Sequence, residues 1–77
     1  MEVKDKVISI IAETLEVEPS RITMETSVGD FPKWDSLGHL AILQNIQDEF
    51  DIELEAEEII ELEDVNDILR IVAEKLG

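Results

Sequence analysis

The sequence predicts an all-α fold: a four-helix bundle of three longer helices and one short helix, with a long loop between helices 1 and 2. Three observations predict it. Apolar residues recur at helical spacing in three separated segments of the chain. The one stretch of strand-like alternation, Asp51 to Glu55, has no second strand to pair with. The stretch from Pro19 to Trp34 holds no period at all. With 77 residues and no internal repeat or dividing linker, the chain reads as one domain, 1–77, near the lower size at which a single core suffices.

Residues 2 to 15 form the first helix, about four turns, with Val3, Val7, Ile10, Ile11 and Leu15 inward and Ile8 on the flank. Glu18-Pro19 ends it, because proline disfavours helix in the residue before it. A connection as long as the one that follows is usually functional or anchored by its own side chains. Ile22, Val28, Phe31 and Trp34 are the expected anchors, Ser20-Arg21-Ile22 one short turn, and Gly29-Asp30 and Phe31-Pro32 further turns. Residues 34 to 50 then start a helix abruptly, with Leu37, Leu40, Leu43 and Phe50 forming a broad stripe and Ile42 and Ile46 beside them. Asp35 or Ser36 supplies its N-cap, since a short side-chain oxygen accepts from the free amides of the first turn. Beyond the extended link, Ala56 to Leu62 is the short helix, with Ile59 and Ile60 inward. Asp64 caps the last helix, Asp67 completes a variant capping box, and Val65, Ile68, Leu69, Val72 and Leu76 make its stripe.

Composition narrows the chemistry. There is no cysteine, hence no disulfide, thiolate metal site or thiol nucleophile. Hydrophobic residues make up 44% of the chain but only Phe31, Trp34 and Phe50 are aromatic, so the core is aliphatic. No run is long enough to span a membrane and the N-terminus lacks the apolar stretch of a signal peptide, which predicts a cytoplasmic protein. Twenty acidic residues against six basic ones give a net charge of −14. That argues against nucleic acid, whose binding rests on cationic contacts to phosphate. It favours basic partners drawn by long-range attraction that salt weakens, and self-repulsion makes the fold sensitive to ionic strength.

Ser36 is the residue of greatest chemical interest. It stands where a helix begins, beside free amides and the positive end of the helix dipole, where an attached phosphate is stabilised by both. The plain alternative is a capping serine. A hydrolase does not fit: Trp34-Asp35-Ser36-Leu37-Gly38 supplies only the second glycine of a nucleophile elbow, with no strand before it. His39, one turn on, lacks the orienting partner and oxyanion hole of a triad, and is expected on the helix surface. Glu53 to Asp67 holds eight carboxylates and no base, yet the segment from Asp48 lacks the glycine of a calcium loop, so a solvated acidic face is expected and no metal site. Gly38 costs up to about 1 kcal/mol relative to alanine in a helix. It reflects either tolerated flexibility or the close approach of another backbone or of a group attached to Ser36. Trp34 either pins the loop to the bundle or serves as an anchor for a partner, tryptophan being enriched at binding hot spots.

Asp35-Ser36-Leu37 opening an apolar helix, at mid-chain in so short and acidic a sequence, resembles the acyl carrier proteins. The likeness covers nearly the whole chain: a first helix, a long loop with Ile22-Thr23 and Thr26-Ser27, the triplet, and Asp48-Glu49-Phe50 closing the second helix. It implies a carrier with no chemistry of its own. Ser36 would bear 4′-phosphopantetheine, placed from coenzyme A by a phosphopantetheinyl transferase with magnesium, its thiol holding acyl groups as thioesters. Asp35 would serve magnesium or basic residues of the transferase, and Leu37 would dock in an apolar pocket. Trp34, His39, Asp48, Glu49, Glu57 and Glu58 would face acyl-transferring and acyl-modifying enzymes with basic docking patches. The carrier would act as a monomer without nucleic acid or membrane, and its aliphatic bundle could part to shelter a chain. Two departures stand out. The second helix has Ala41, Gln44, Asn45 and Gln47 where fatty-acid carriers are acidic, and Trp34 with Gly38-His39 looks more like specialised free-standing carriers. The Gly-Gly-x-Ser signature of peptidyl carriers is missing, since Lys33-Trp34-Asp35 precede Ser36. The alternatives are a free-standing aminoacyl or peptidyl carrier, and a non-carrying acidic helical module that binds a basic partner.

Overall fold

A computed structural model describes residues 3–77. Four α-helices run in the order α1 (Val3–Leu15), α2 (Ser36–Phe50), α3 (Ala56–Glu61) and α4 (Val65–Leu76), with a single 3-10 turn (Pro19–Arg21) inside the long loop. The all-α expectation holds, with three longer helices and one short one; the expected start at residue 2 lies outside the described residues. The short turn falls one residue earlier than expected because Pro19, with its fixed φ, suits the first helical position. The short helix ends at Glu61, and Leu62 is buried just beyond it.

α1 is the hub, packing on α2, α4 and the 3-10 turn. Val7, Ile11, Ala12 and Leu15 from α1 meet Ile42, Leu43 and Ile46 from α2 and Val65, Ile68 and Val72 from α4. All of these are buried, so the core is aliphatic apart from Trp34. Three parts of the predicted stripes are corrected. Leu37 and Leu40 are 77% and 52% exposed, because Ile42, Leu43 and Ile46 form the inward face of α2 and leave those two on another side. Ile60 is 78% exposed: adjacent residues on a helix point about 100° apart, and Ile59 takes the inward direction. Leu76, at the end of α4, is also exposed.

The long loop is held by backbone and by anchors. The Val28 amide donates to the Glu63 carbonyl at 3.0 Å, and Val65 and Asn66 donate to Thr26 and Met24, so the loop is stitched to the start of α4. Ile22 and Trp34 are buried and Phe31 half-buried, as expected of anchors, whereas Val28 is 41% exposed. Its strand-like pairing with Glu63 holds the backbone and turns the side chain outward. Gly29 takes φ +95° in the turn before Asp30, whose carboxylate accepts from the Ser27 amide. Lys33 reaches back to Glu16 at 2.7 Å. Burying the Trp34 indole removes on the order of 200 Å² from water, worth about 5 kcal/mol before entropy is counted. That makes it the strongest tie between loop and bundle.

Gly38 shows why the loop enters α2 as tightly as it does. A Cβ at Gly38 would lie 1.9 Å from the Lys33 carbonyl oxygen and 3.0 Å from its carbon. The neighbour is backbone, so of the readings left open by the sequence, close approach of another backbone is the one the structure shows. Gly38→Ala would gain helix propensity but must displace the 33–35 backbone. The expected outcome is a net loss of about 1–2 kcal/mol in a denaturant titration, overpacking outweighing propensity. Unchanged or higher stability would contradict it.

Candidate functional site

Asp35 is the N-cap of α2, in extended conformation, with Oδ1 accepting from the Gly38 amide at 2.9 Å. Its backbone carbonyl accepts from the His39 amide at 2.8 Å. Ser36 is therefore the first helical residue and not the cap: it is exposed, and its hydroxyl is free of the capping role. The amides of this first turn and the positive end of a 15-residue helix face the region the hydroxyl occupies.

His39 is not the free surface residue expected from the sequence. It is half-buried and joins three elements. The Trp34 Nε1–H donates to His39 Nδ1 at 3.1 Å, and His39 Nε2 lies 3.3 Å from the Ile59 carbonyl oxygen of α3. An indole N–H can only donate and a carbonyl can only accept, so the imidazole is neutral with its proton on Nε2. The two ring planes lie within 22° of parallel, centroids 6.2 Å apart. Trp34 is 0% exposed, which supports the loop-pinning reading and leaves no ring surface for a partner to grip.

Beside Ser36 lies an open cleft of about 430 Å³, lined by Ser27 and Val28 of the loop, Ser36 and His39 of α2, Ile60 of α3, and Leu62 and Glu63 beyond it. Val28, expected as a loop anchor, and Ile60, expected to face inward, are walls of this cleft. The legible clue was the Ile59-Ile60 pair, which cannot both face inward on one short helix. Leu37 and Leu40 add exposed apolar surface near the same serine.

The acidic candidates divide. Asp48 and Glu57 are exposed. Glu49 pairs with Lys6 at 2.9 Å, and Glu58 with Lys75 at 3.1 Å. Glu58 also accepts from the Glu55 amide at 2.8 Å, closing the first turn of α3. That backbone hydrogen bond first, and then Lys75, hold its carboxyl below the usual carboxylate range. The stabilisation is present above the ordinary carboxylate value and is lost as pH falls through the lowered one. On acidification the Glu55 amide resonance is therefore expected to move as its bond to Glu58 weakens, with a midpoint below the ordinary range. The same resonance in Glu58→Gln should show no such step; an identical step in both would contradict the assignment.

Comparison with known proteins agrees with this geometry. The family described as "Phosphopantetheine attachment site" matches residues 5–72. An acyl carrier protein of Streptococcus pyogenes serotype M1 is 40% identical over 75 residues, covering 97% of each chain. One from Thermosynechococcus vestitus is 31% identical over 76 residues, covering 99% of this chain and 94% of its own. The solution structure of a holo acyl carrier protein from Geobacter metallireducens superposes with a TM-score of 0.85 at 28% identity, over 99% of this chain and 87% of that one. The chain belongs to the acyl carrier protein family, defined by a phosphopantetheine attachment site. It is a carrier and not an enzyme, its cofactor is covalent 4′-phosphopantetheine, and the family works with phosphopantetheinyl transferases and biosynthetic enzymes.

Proposed function

We propose that Ser36 is the attachment residue and that the chain presents acyl groups to successive enzymes of a biosynthetic pathway. The observation that carries this is the placement of an exposed serine at the first position of α2, with Asp35 taking the cap. The residues fit the group. A phosphodiester on Oγ meets first-turn amides and the helix dipole, which offset the nearby carboxylate of Asp35. When attached, the arm supplies a terminal thiol that holds acyl groups as thioesters. Every other part of the function falls to the protein's own surface.

Asp35 keeps an exposed carboxylate for the magnesium or basic residues of the transferase. Leu37, Leu40 and Ile60 offer apolar contacts around the serine. Asp48 and Glu57 offer charge to basic partners, while Glu49 and Glu58 are partly engaged within the protein. Trp34 and His39 act on partners through the loop and helix they position. The exposed face of α2 carries Ala41, Gln44 and Asn45, so its attraction for strongly basic fatty-acid enzymes is weaker than an acidic helix would give. A specialised pathway suits that surface. No helix among the described residues is long and apolar enough to cross a membrane. In the proposed role the chain works as a cytoplasmic monomer.

Incubation with a broad-specificity phosphopantetheinyl transferase, magnesium and coenzyme A should add one phosphopantetheine to the intact mass of the wild type. Ser36→Ala, folded by circular dichroism, should gain nothing. A gain in both would place the attachment elsewhere; a gain in neither would contradict the carrier role of Ser36.

A further inference from the structure

The cleft beside Ser36 has Ser36 and His39 of α2 on one wall and Ile60 and the core residue Leu62 on another. His39 lines it, and the same imidazole is held from the loop by Trp34 and from α3 by the Ile59 carbonyl. The core of the bundle is filled: Trp34, Ile42, Leu43 and Ile46 are each 0% exposed. No buried side-chain nitrogen or oxygen among the described residues lacks a partner.

We infer that His39 is a specificity-determining residue that restricts sheltered cargo to short acyl groups by tying α3 to α2 and forming part of one wall of the cleft. This deepens the carrier reading above and rests on it. A chain returning from Ser36 to the bundle meets Val28 and Ile60 first, an apolar but shallow seat. To go deeper it must displace the imidazole. That strands the indole N–H of Trp34, a buried donor, and frees the Ile59 carbonyl as α3 moves away. Each methylene moved from water to an apolar interior favours the sheltered state roughly fourfold. Short chains find that gain in the cleft itself, and longer ones can extend it only by breaking both hydrogen bonds. The family resemblance implies an aliphatic bundle that could part for a chain; the His39 clasp opposes that parting.

The test loads the full-length protein with linear acyl groups from acetyl to dodecanoyl, using the transferase and the acyl-coenzyme A series, with intact mass confirming each product. Melting temperature is then read against chain length. In the wild type it should rise over the shortest chains and level off by hexanoyl. His39→Ala should go on rising through octanoyl and beyond. His39→Gln, whose amide keeps one donor and one acceptor, should restore the wild-type plateau. Should His39→Ala fail to fold, Trp34→Phe with His39→Leu removes the polar pair without stranding an indole N–H, and should show the extended rise. A wild type that keeps rising through dodecanoyl would overturn the inference. So would a plateau shared by the wild type and the opened variants. Absence of any mass gain would instead overturn the carrier reading, and this inference with it.

Discussion

A buried indole sets the terms for everything around Ser36. Placing Trp34 in the core is worth about 5 kcal/mol of apolar burial, while leaving its N–H without an acceptor would forfeit about 1–3 kcal/mol. Burial wins either way, so the ring stays inside and the structure brings the acceptor to it. His39 supplies that acceptor from α2, and its other nitrogen reaches the Ile59 carbonyl of α3. One side chain thus fixes the end of the loop, the start of α2 and the position of α3. The Lys33 carbonyl passes across Gly38 in the same turn, a path that a Cβ would block. With loop and helix so joined, Asp35 is set in extended conformation as the cap, and Ser36 is left exposed at the first helical position.

The surface around the serine follows from how little of the chain is free to do anything else. α1 is committed to packing on α2 and α4, and α4 to closing the core. Apolar residues left over by that packing, Leu37, Leu40, Val28 and Ile60, lie on α2, α3 and the loop that surround Ser36. A monomeric domain exposes such residues in one region chiefly when something docks there. The acidic residues set the complementary limit. With a net charge of −14 the protein repels its own kind and attracts basic surfaces, but Glu49 and Glu58 already hold lysines of the same chain.

Much of this was legible in the sequence, and what was not has physical causes. The helices announced themselves by period, and the Asp35-Ser36-Leu37 triplet marked the candidate site. The inward face of α2 was misjudged because that helix is apolar on more than one side: Leu37 and Leu40 match the period as well as Ile42, Leu43 and Ile46 do, and only the position of α1 decides between them. Ile60 was misplaced because a helix of six residues is too short for period to distinguish one face from another. The partnership of Trp34 with His39, and the close approach at Gly38, depend on the path of a loop that has no period to read. Local spacing could nominate those residues; their roles needed the fold.

The state of the His39 ring tests the account most directly, since loop, site and cleft all turn on it. Nitrogen-15 NMR of the full chain, at a pH where the ring is neutral, reports both partners at once. The account predicts an imidazole protonated at Nε2 and bare at Nδ1, with the Trp34 indole proton protected from solvent exchange and coupled across the hydrogen bond to His39. An Nδ1-protonated ring, or an indole proton exchanging as freely as in an unfolded chain, would contradict it.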